Sequence, residues 1–156
     1  GGGGMMVGDG SPTSDGSWNG MFRAVAIGAA EERGQRPSME DKHARLPLFM
    51  PHGLHHRVSG ARALAGVFDG HSGAAVASYA VDRIPSLLEL EPWYAQLQPA
   101  SKEAVEHSLL SVFEKTDAEI LAKTVSGSMS GGSTACVALL LENRLFLANL
   151  GDSRAV

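Results

Sequence analysis

The stretch Gly66–Gly73, GVFDGHSG, is the most informative part of this sequence, because an apolar run ends there in an acid, a glycine and a histidine. The preceding letters, RALAGVFD, are almost continuously apolar, which predicts a strand covered on both faces. Asp69 and His71, separated only by Gly70, follow at its end. Two interpretations are open at this point, a simple turn or a metal-assisted active site.

The segments on either side of this stretch predict strands and helices in separate blocks. MFRAVAIGAAE from Met21 and MEDKHARLPLF from Met39 are typical of extended structure. Between Gly73 and about Leu90, apolar residues recur at helical spacing, and Pro85 is expected to kink or restart this helix. A second helix is predicted to begin with Ser101 as its N-cap.

The last block predicts a β-hairpin, since STACVALLL and RLFLANL flank Glu142-Asn143. Strands therefore lie on either side of two consecutive helices. This order favours an α+β fold with antiparallel sheet covered by helices over a strict βαβ alternation.

Composition excludes several classes of protein. With 13 basic and 17 acidic residues the formal charge is −4, which argues against a nucleic-acid-binding protein. Cys136 is the only cysteine, so neither an internal disulfide framework nor a four-cysteine zinc site is available, and a small buried hydrophobe is expected. The sequence has no apolar run of about 18 residues, so it predicts no transmembrane helix.

The chain divides into two parts. Residues 1–20 hold eight of the 19 glycines and are expected to be disordered, whereas residues 21–156 form the ordered domain. The N-terminus lacks the features of a secretory signal and does not begin with Met, and the other end stops where a strand begins, so a fragment is expected. One cysteine and no targeting signal are compatible with cytosol or nucleus.

Acidic residues occupy three predicted strand ends, in Glu40-Asp41, Asp69 and Asp152. Hard cations such as Mg²⁺ and Mn²⁺ prefer oxygen ligands, and a glycine after an acid lets a carbonyl approach the ion, here that of Gly70. Charged residues are common at strand ends, however, so spacing alone leaves the turn and the metal site both open.

Four motifs taken together are more specific. RPSMED (36–41), VFDGHSG (67–73), GGSTA (131–135) and ANLGDSRAV (148–156) occur in that order and resemble the metal-dependent protein serine/threonine phosphatases of type 2C, the PPM family. The resemblance runs from about Met21 to Val156. It implies two antiparallel β-sheets sandwiched between helices, with two divalent cations, Mg²⁺ or Mn²⁺, in a channel at one edge.

The resemblance also implies metal ligands. Asp69 would bridge both ions and Gly70 would offer its carbonyl to one of them. Glu40 would hold that ion directly or through a water, and Asp41 would support the site. Asp152 would join a possible third, weaker site.

Arg36 would grip the substrate phosphate, and its planar guanidinium suits phosphate oxygens. A metal-bridging water would attack phosphorus directly, while His71 would protonate the departing serine or threonine oxygen. The GSTA run, Gly132 to Ala135, is expected to serve tight packing where a strand starts, and Ser133 and Thr134 are not expected to act as nucleophiles. The implied partners are phosphoprotein substrates, met by a monomeric catalytic domain without nucleic acid or membrane.

The resemblance departs from the family pattern in two ways. Ser72 stands where many members carry glycine, and a small residue is expected to be tolerated. Further metal-binding aspartates of the family would lie beyond Val156, so this piece alone is expected to be inactive. A pseudophosphatase, the same fold kept as a regulatory or scaffold module, is the alternative.

Two further sets of residues suggest other chemistry. A cysteine-dependent phosphatase needs an arginine six positions after its cysteine, but Glu142 stands there relative to Cys136. His52, His55 and His56 could form a transition-metal site, although a solvated loop is the simpler interpretation.

Overall fold

The structure is a computed structural model that describes residues 5–7, 25–54 and 60–156. Within these residues the elements in chain order are β1 (Met5–Val7), β2 (Val25–Ile27), β3 (Lys42–Leu46), β4 (Ala61–Phe68), β5 (Gly70–His71), α1 (Ala75–Leu88), α2 (Lys102–Val125), β6 (Gly132–Ser133), β7 (Ala135–Glu142) and β8 (Arg144–Leu150).

The central feature is an antiparallel sheet of strand order β3-β4-β7-β8. Strands β7 and β8 form the predicted hairpin, with Leu141 opposite Arg144 and Glu142-Asn143 between them. Strands β4 and β7 pair with each other although both helices lie between them in the sequence. The α+β class and the antiparallel pairing are thus confirmed.

Both helices cover one face of this sheet. The core between them combines residues of the helices, such as Ile84 and Val112, with sheet residues such as Leu64, Val137 and Leu139. Ala104 N donates to Ser101 Oγ at 3.1 Å, which confirms the predicted N-cap.

Pro85 does not interrupt helix α1. The helix continues to Leu88, with Pro85 buried inside it. A restart at this proline is therefore wrong. Proline removes one N–H donor and crowds the carbonyl four residues earlier, and the burial of Ile84, Leu87 and Leu88 around it offsets this cost.

An ion pair on the surface joins the two helices. Arg83 donates to both carboxylate oxygens of Glu119, at 2.7 and 2.6 Å, and Tyr79 Oη donates to Glu119 Oε2 at 2.6 Å. These hydrogen bonds lower the pKa of Glu119 to about 2, and the hydrogen bond from Arg83 has the largest effect.

The opposite face of the sheet is only partly covered. Val25 of β2 packs there against Ala61, Ala63 and Leu140, while β1 pairs with β2 in a second, small antiparallel sheet. Other apolar side chains of this face remain 40–56% exposed, namely Val67, Leu145 and Leu147. Burial of β4 on both faces is therefore confirmed only for its first half.

The segment expected to be disordered falls mostly outside the described residues. The described part of it, Met5–Val7, forms β1. Met-Met-Val is an apolar run among glycines, and pairing with β2 satisfies its backbone groups.

Other expectations concern single side chains. Cys136 is buried in β7, and burial raises the pKa of its thiol. His52 is exposed, whereas His55 and His56 lie outside the described residues. Within the described ranges, neither helix is long and apolar enough to cross a membrane.

Candidate active site at one end of the sheet

The acidic motifs meet at one end of the central sheet because of its register. Lys42 lies opposite Phe68 in the last pair of the β3-β4 ladder, and Asp41 and Asp69 are the next residues of the two chains at this end. Thr134 follows as the neighbour of Asp69 on the other side, since Thr134 N donates to Asp69 O at 3.0 Å. Beyond it comes Gly151, one residue past the pair Ala135–Leu150.

Asp41 and Asp69 adjoin the last pair of the β3-β4 ladder, and continued pairing would set them opposite each other. Directly opposite residues share one face of a sheet, with Cβ atoms roughly 5 Å apart. Because Ala44 and Phe68 contribute to the core beneath the helices, alternation places both carboxylates on the other face. Two like charges so placed repel each other unless a cation lies between them.

Gly70 lies tightly against the chain that carries Glu40. A Cβ added at Gly70 would collide with the backbone carbonyl oxygen of Glu40 and lie 3.2 Å from Cβ of Ala77. Only glycine therefore fits at this point. Glu40 itself is half-buried, and its Oε1 accepts from Ser38 Oγ at 3.1 Å.

The exposed His71 is held against the GGSTA segment. It pairs with Gly132 in the short ladder β5-β6, and a Cβ at Gly132 would collide with the His71 ring. A Cβ at Gly131 would lie 2.6 Å from the carbonyl oxygen of His71. The two glycines thus serve close approach to the histidine, in agreement with the predicted tight packing.

Ser72 adopts the left-handed backbone conformation, with φ of 59°. This conformation costs roughly 1 kcal/mol or more for a residue with a Cβ and explains why glycine suits the position better. Gly73 follows with φ of 114°, and helix α1 begins two residues later. The turn interpretation of this stretch is therefore correct as far as the backbone is concerned.

Arg36 and Asp152 lie on exposed segments outside the strands. Arg36 belongs to a turn in which its N–H donates to Arg33 O at 3.4 Å, while Arg33 Nη1 donates to Pro37 O at 3.0 Å. Among the described residues, the Arg36 side chain makes no hydrogen bond or ion pair. Asp152 follows Gly151, where the chain turns with φ of 94°.

Thr134 is the residue of this region that the sequence did not single out for the site. Its Oγ1 accepts from Asp69 N at 3.0 Å and lies 2.7 Å from Ser153 Oγ. It therefore connects the VFDGH and GDSR motifs. The only sequence signal was the GGSTA motif itself, which indicated packing.

The donor chemistry here suits a hard divalent cation, although the set is small. Asp41 and Asp69 offer carboxylate oxygens at the same end of the sheet, and the Gly70–Glu40 contact leaves no room for a side chain at Gly70. In the described part of the chain, no three carboxylate, imidazole or thiol groups lie close enough to hold a metal ion. Water or donors outside these residues would have to complete the coordination, as is usual for Mg²⁺.

Substitution of the two glycines should separate a backbone collision from a side-chain collision. Gly70→Ala is expected to lower the free energy of unfolding by about 1–3 kcal/mol, because the backbone at Glu40 must move. Gly132→Ala should cost less, since the His71 ring can rotate away. Urea unfolding of both variants measures the difference, and equal losses would contradict the tight Gly70–Glu40 contact.

The sequence of this chain is similar to those of known proteins. A family model described as protein phosphatase 2C matches residues 25–156. A probable protein phosphatase 2C 45 of Oryza sativa subsp. japonica is 38% identical over 151 residues, which are 95% of this chain and 47% of that protein. A probable protein phosphatase 2C 59 of Arabidopsis thaliana is 36% identical over 95% of this chain and 43% of its own length.

A solved structure supports the fold. The structure of a C. elegans sex determining protein matches 69% of this chain and 24% of its own, with a TM-score of 0.50 and 26% identity. The present chain thus spans less than half the length of each of these relatives.

Proposed function

The chain belongs to the protein phosphatase 2C family, and we propose that the protein hydrolyses phosphoserine and phosphothreonine in proteins. The observation that carries this proposal is the sheet register, which ends with Lys42 opposite Phe68 and so brings Asp41 and Asp69 to the same end of the sheet. Gly70 and His71 directly follow Asp69 and pair with the GGSTA segment. Paired carboxylates on an open sheet end suit a metal-assisted hydrolase better than a simple turn.

Two divalent cations, Mg²⁺ or Mn²⁺, would be held at this end of the sheet. Asp69 would bridge them, the carbonyl of Gly70 and the side chain of Glu40 would hold one, and Asp41 would support the site. Asp152 would serve a third, weaker position. When bound, the ions would activate a bridging water for direct attack and neutralise charge on the phosphoryl group.

The remaining steps belong to protein side chains. Arg36, exposed on its turn, would bind the phosphate oxygens with its guanidinium. His71, exposed and backed by Gly132, would give its proton to the serine or threonine oxygen that leaves.

A metal-removal assay tests the function. We expect the full-length protein to release phosphate from phosphoserine and phosphothreonine peptides with Mn²⁺, to lose this activity with EDTA, and to regain it when Mn²⁺ is restored. The 156-residue chain alone is expected to be inactive. Robust turnover in EDTA would contradict the metal-assisted mechanism, and binding of phosphopeptide without turnover at any metal concentration would favour the scaffold role.

A further inference from the structure

Thr134 lies between the two motifs that supply Asp69 and Asp152. It is the residue between β6 and β7, at the level where the chains of β4, β7 and β8 run side by side. Its backbone N–H donates to Asp69 O at 3.0 Å, and its hydroxyl accepts from Asp69 N at 3.0 Å. Both backbone polar groups of Asp69 are therefore held by this one residue.

The Thr134 hydroxyl has a second partner on the other side. Thr134 Oγ1 and Ser153 Oγ lie 2.7 Å apart. A hydroxyl has one proton and two acceptor positions, and one acceptor position is used by the Asp69 N–H. Thr134 can therefore donate its proton to Ser153 and accept from Asp69 at the same time.

The methyl group of Thr134 completes the contact with the GDSR turn. A Cβ added at Gly151 would lie 2.8 Å from Thr134 Cγ2, so the turn closes directly onto this methyl. Asn149 Nδ2 also donates to Gly151 O at 3.1 Å and holds the turn from the strand side. Hydroxyl and methyl thus make different contacts, and the two can be removed separately.

We propose that Thr134 is a positioning residue that fixes the main chain of Asp69 relative to the GDSR turn. Its hydroxyl sets the direction in which the Asp69 carboxylate is presented and the distance between that carboxylate and Asp152. The proposal rests on the proposed function, since these acids matter as ligands only if the protein binds divalent cations. Partners that orient metal ligands in this way commonly change metal affinity by roughly 10–100-fold when removed.

Thr134→Val in the full-length protein is the decisive variant, because valine keeps the shape and the backbone N–H but loses the hydroxyl. We expect Mn²⁺ affinity, measured by isothermal titration calorimetry, to fall about tenfold. The Asp69 amide should lose protection against hydrogen exchange. For phosphopeptide hydrolysis, kcat at limiting Mn²⁺ should fall while KM for the peptide stays unchanged.

Two further variants provide the controls. Thr134→Ser restores the hydroxyl without the methyl and should recover most of the Mn²⁺ affinity. Thr116→Val removes the buried hydroxyl that donates to Val112 O at 2.8 Å on α2, and it should leave Mn²⁺ affinity unchanged. If Thr134→Ser recovers the Mn²⁺ affinity and Thr116→Val leaves it unchanged, the loss in Thr134→Val is due to the missing Thr134 hydroxyl.

The outcomes separate this inference from the proposed function. If Thr134→Val lowers only the melting temperature and binds Mn²⁺ like the wild type, Thr134 is a packing residue and the inference is overturned alone. If the wild-type protein neither binds Mn²⁺ nor hydrolyses the peptide, the proposed function fails and this inference fails with it.

Discussion

Replacement of Asp69 with asparagine is expected to lower phosphopeptide turnover by about three orders of magnitude, or ~4 kcal/mol in the activation barrier. Asparagine keeps the size of the side chain but removes the charge that would bridge two cations. The hydrogen bonds that join residue 69 to Thr134 use its main-chain N and O, so they should survive the change. Turnover at saturating Mn²⁺ measures the effect.

The melting temperature without metal gives an independent readout. Asp69 is exposed and lies beside Asp41, so the variant should be at least as stable as the wild type in EDTA. Asp82→Asn, which removes an exposed carboxylate on α1, is the matched control and should leave turnover unchanged. Near-normal turnover of Asp69→Asn would contradict the bridging role, and a large loss of stability would indicate a structural role instead.

The elements that the sequence predicted correctly are those whose signals are local. The Ser101 cap and the hairpin around Glu142-Asn143 each depend on residues within a few positions of one another. The burial of Cys136 follows from its place in an apolar strand. Such features need no knowledge of which strands pair.

Which residues of the site lie next to one another could not be predicted from local signals. Asp41 lies beside Asp69 only because β3 pairs with β4 in one particular register, and a shift of one residue would place the carboxylates on opposite faces. Thr134 contacts Asp69 across a separation of 65 residues. The family resemblance indicated the acidic residues, whereas the contacts of Thr134 can be recognised only once the pairing of the strands is known.

The burial and the partners of Arg62 could not be predicted from the sequence either. In the run RALAGVF it looks like a residue at the edge of an apolar strand, yet it is only 2% exposed. Its Nε donates to Glu142 Oε1 at 2.8 Å, and its other nitrogens donate to the carbonyls of Trp93, Tyr94 and Gln96. These partners lie 31 to 80 residues away in sequence, so no local pattern indicates them.

Replacement of Arg62 with methionine is therefore expected to destabilise the protein by about 3 kcal/mol. Methionine fills much of the same space, but the Glu142 carboxylate loses its cation and three carbonyls lose their donor. The segment between α1 and α2 would then keep the hydrogen bond from Arg144 Nη2 of β8 to Ala100 O at 2.6 Å, together with apolar contacts. Urea unfolding of the full-length protein, followed by tryptophan fluorescence, measures the loss, because Trp93 lies in this segment.

Two comparisons show which contacts carry the effect of Arg62. Arg45→Met, at an exposed position of the neighbouring strand β3, removes the same group and should change stability by no more than about 0.5 kcal/mol. Glu142→Gln keeps an acceptor for Arg62 Nε while removing the charge, and it should cost less than Arg62→Met because the carbonyl hydrogen bonds remain. If Arg62→Met were no more destabilising than Arg45→Met, the guanidinium would contribute nothing beyond its volume. If Glu142→Gln matched it, the ion pair alone would account for the stabilisation, and the carbonyls of the α1–α2 segment would not need Arg62 as their donor.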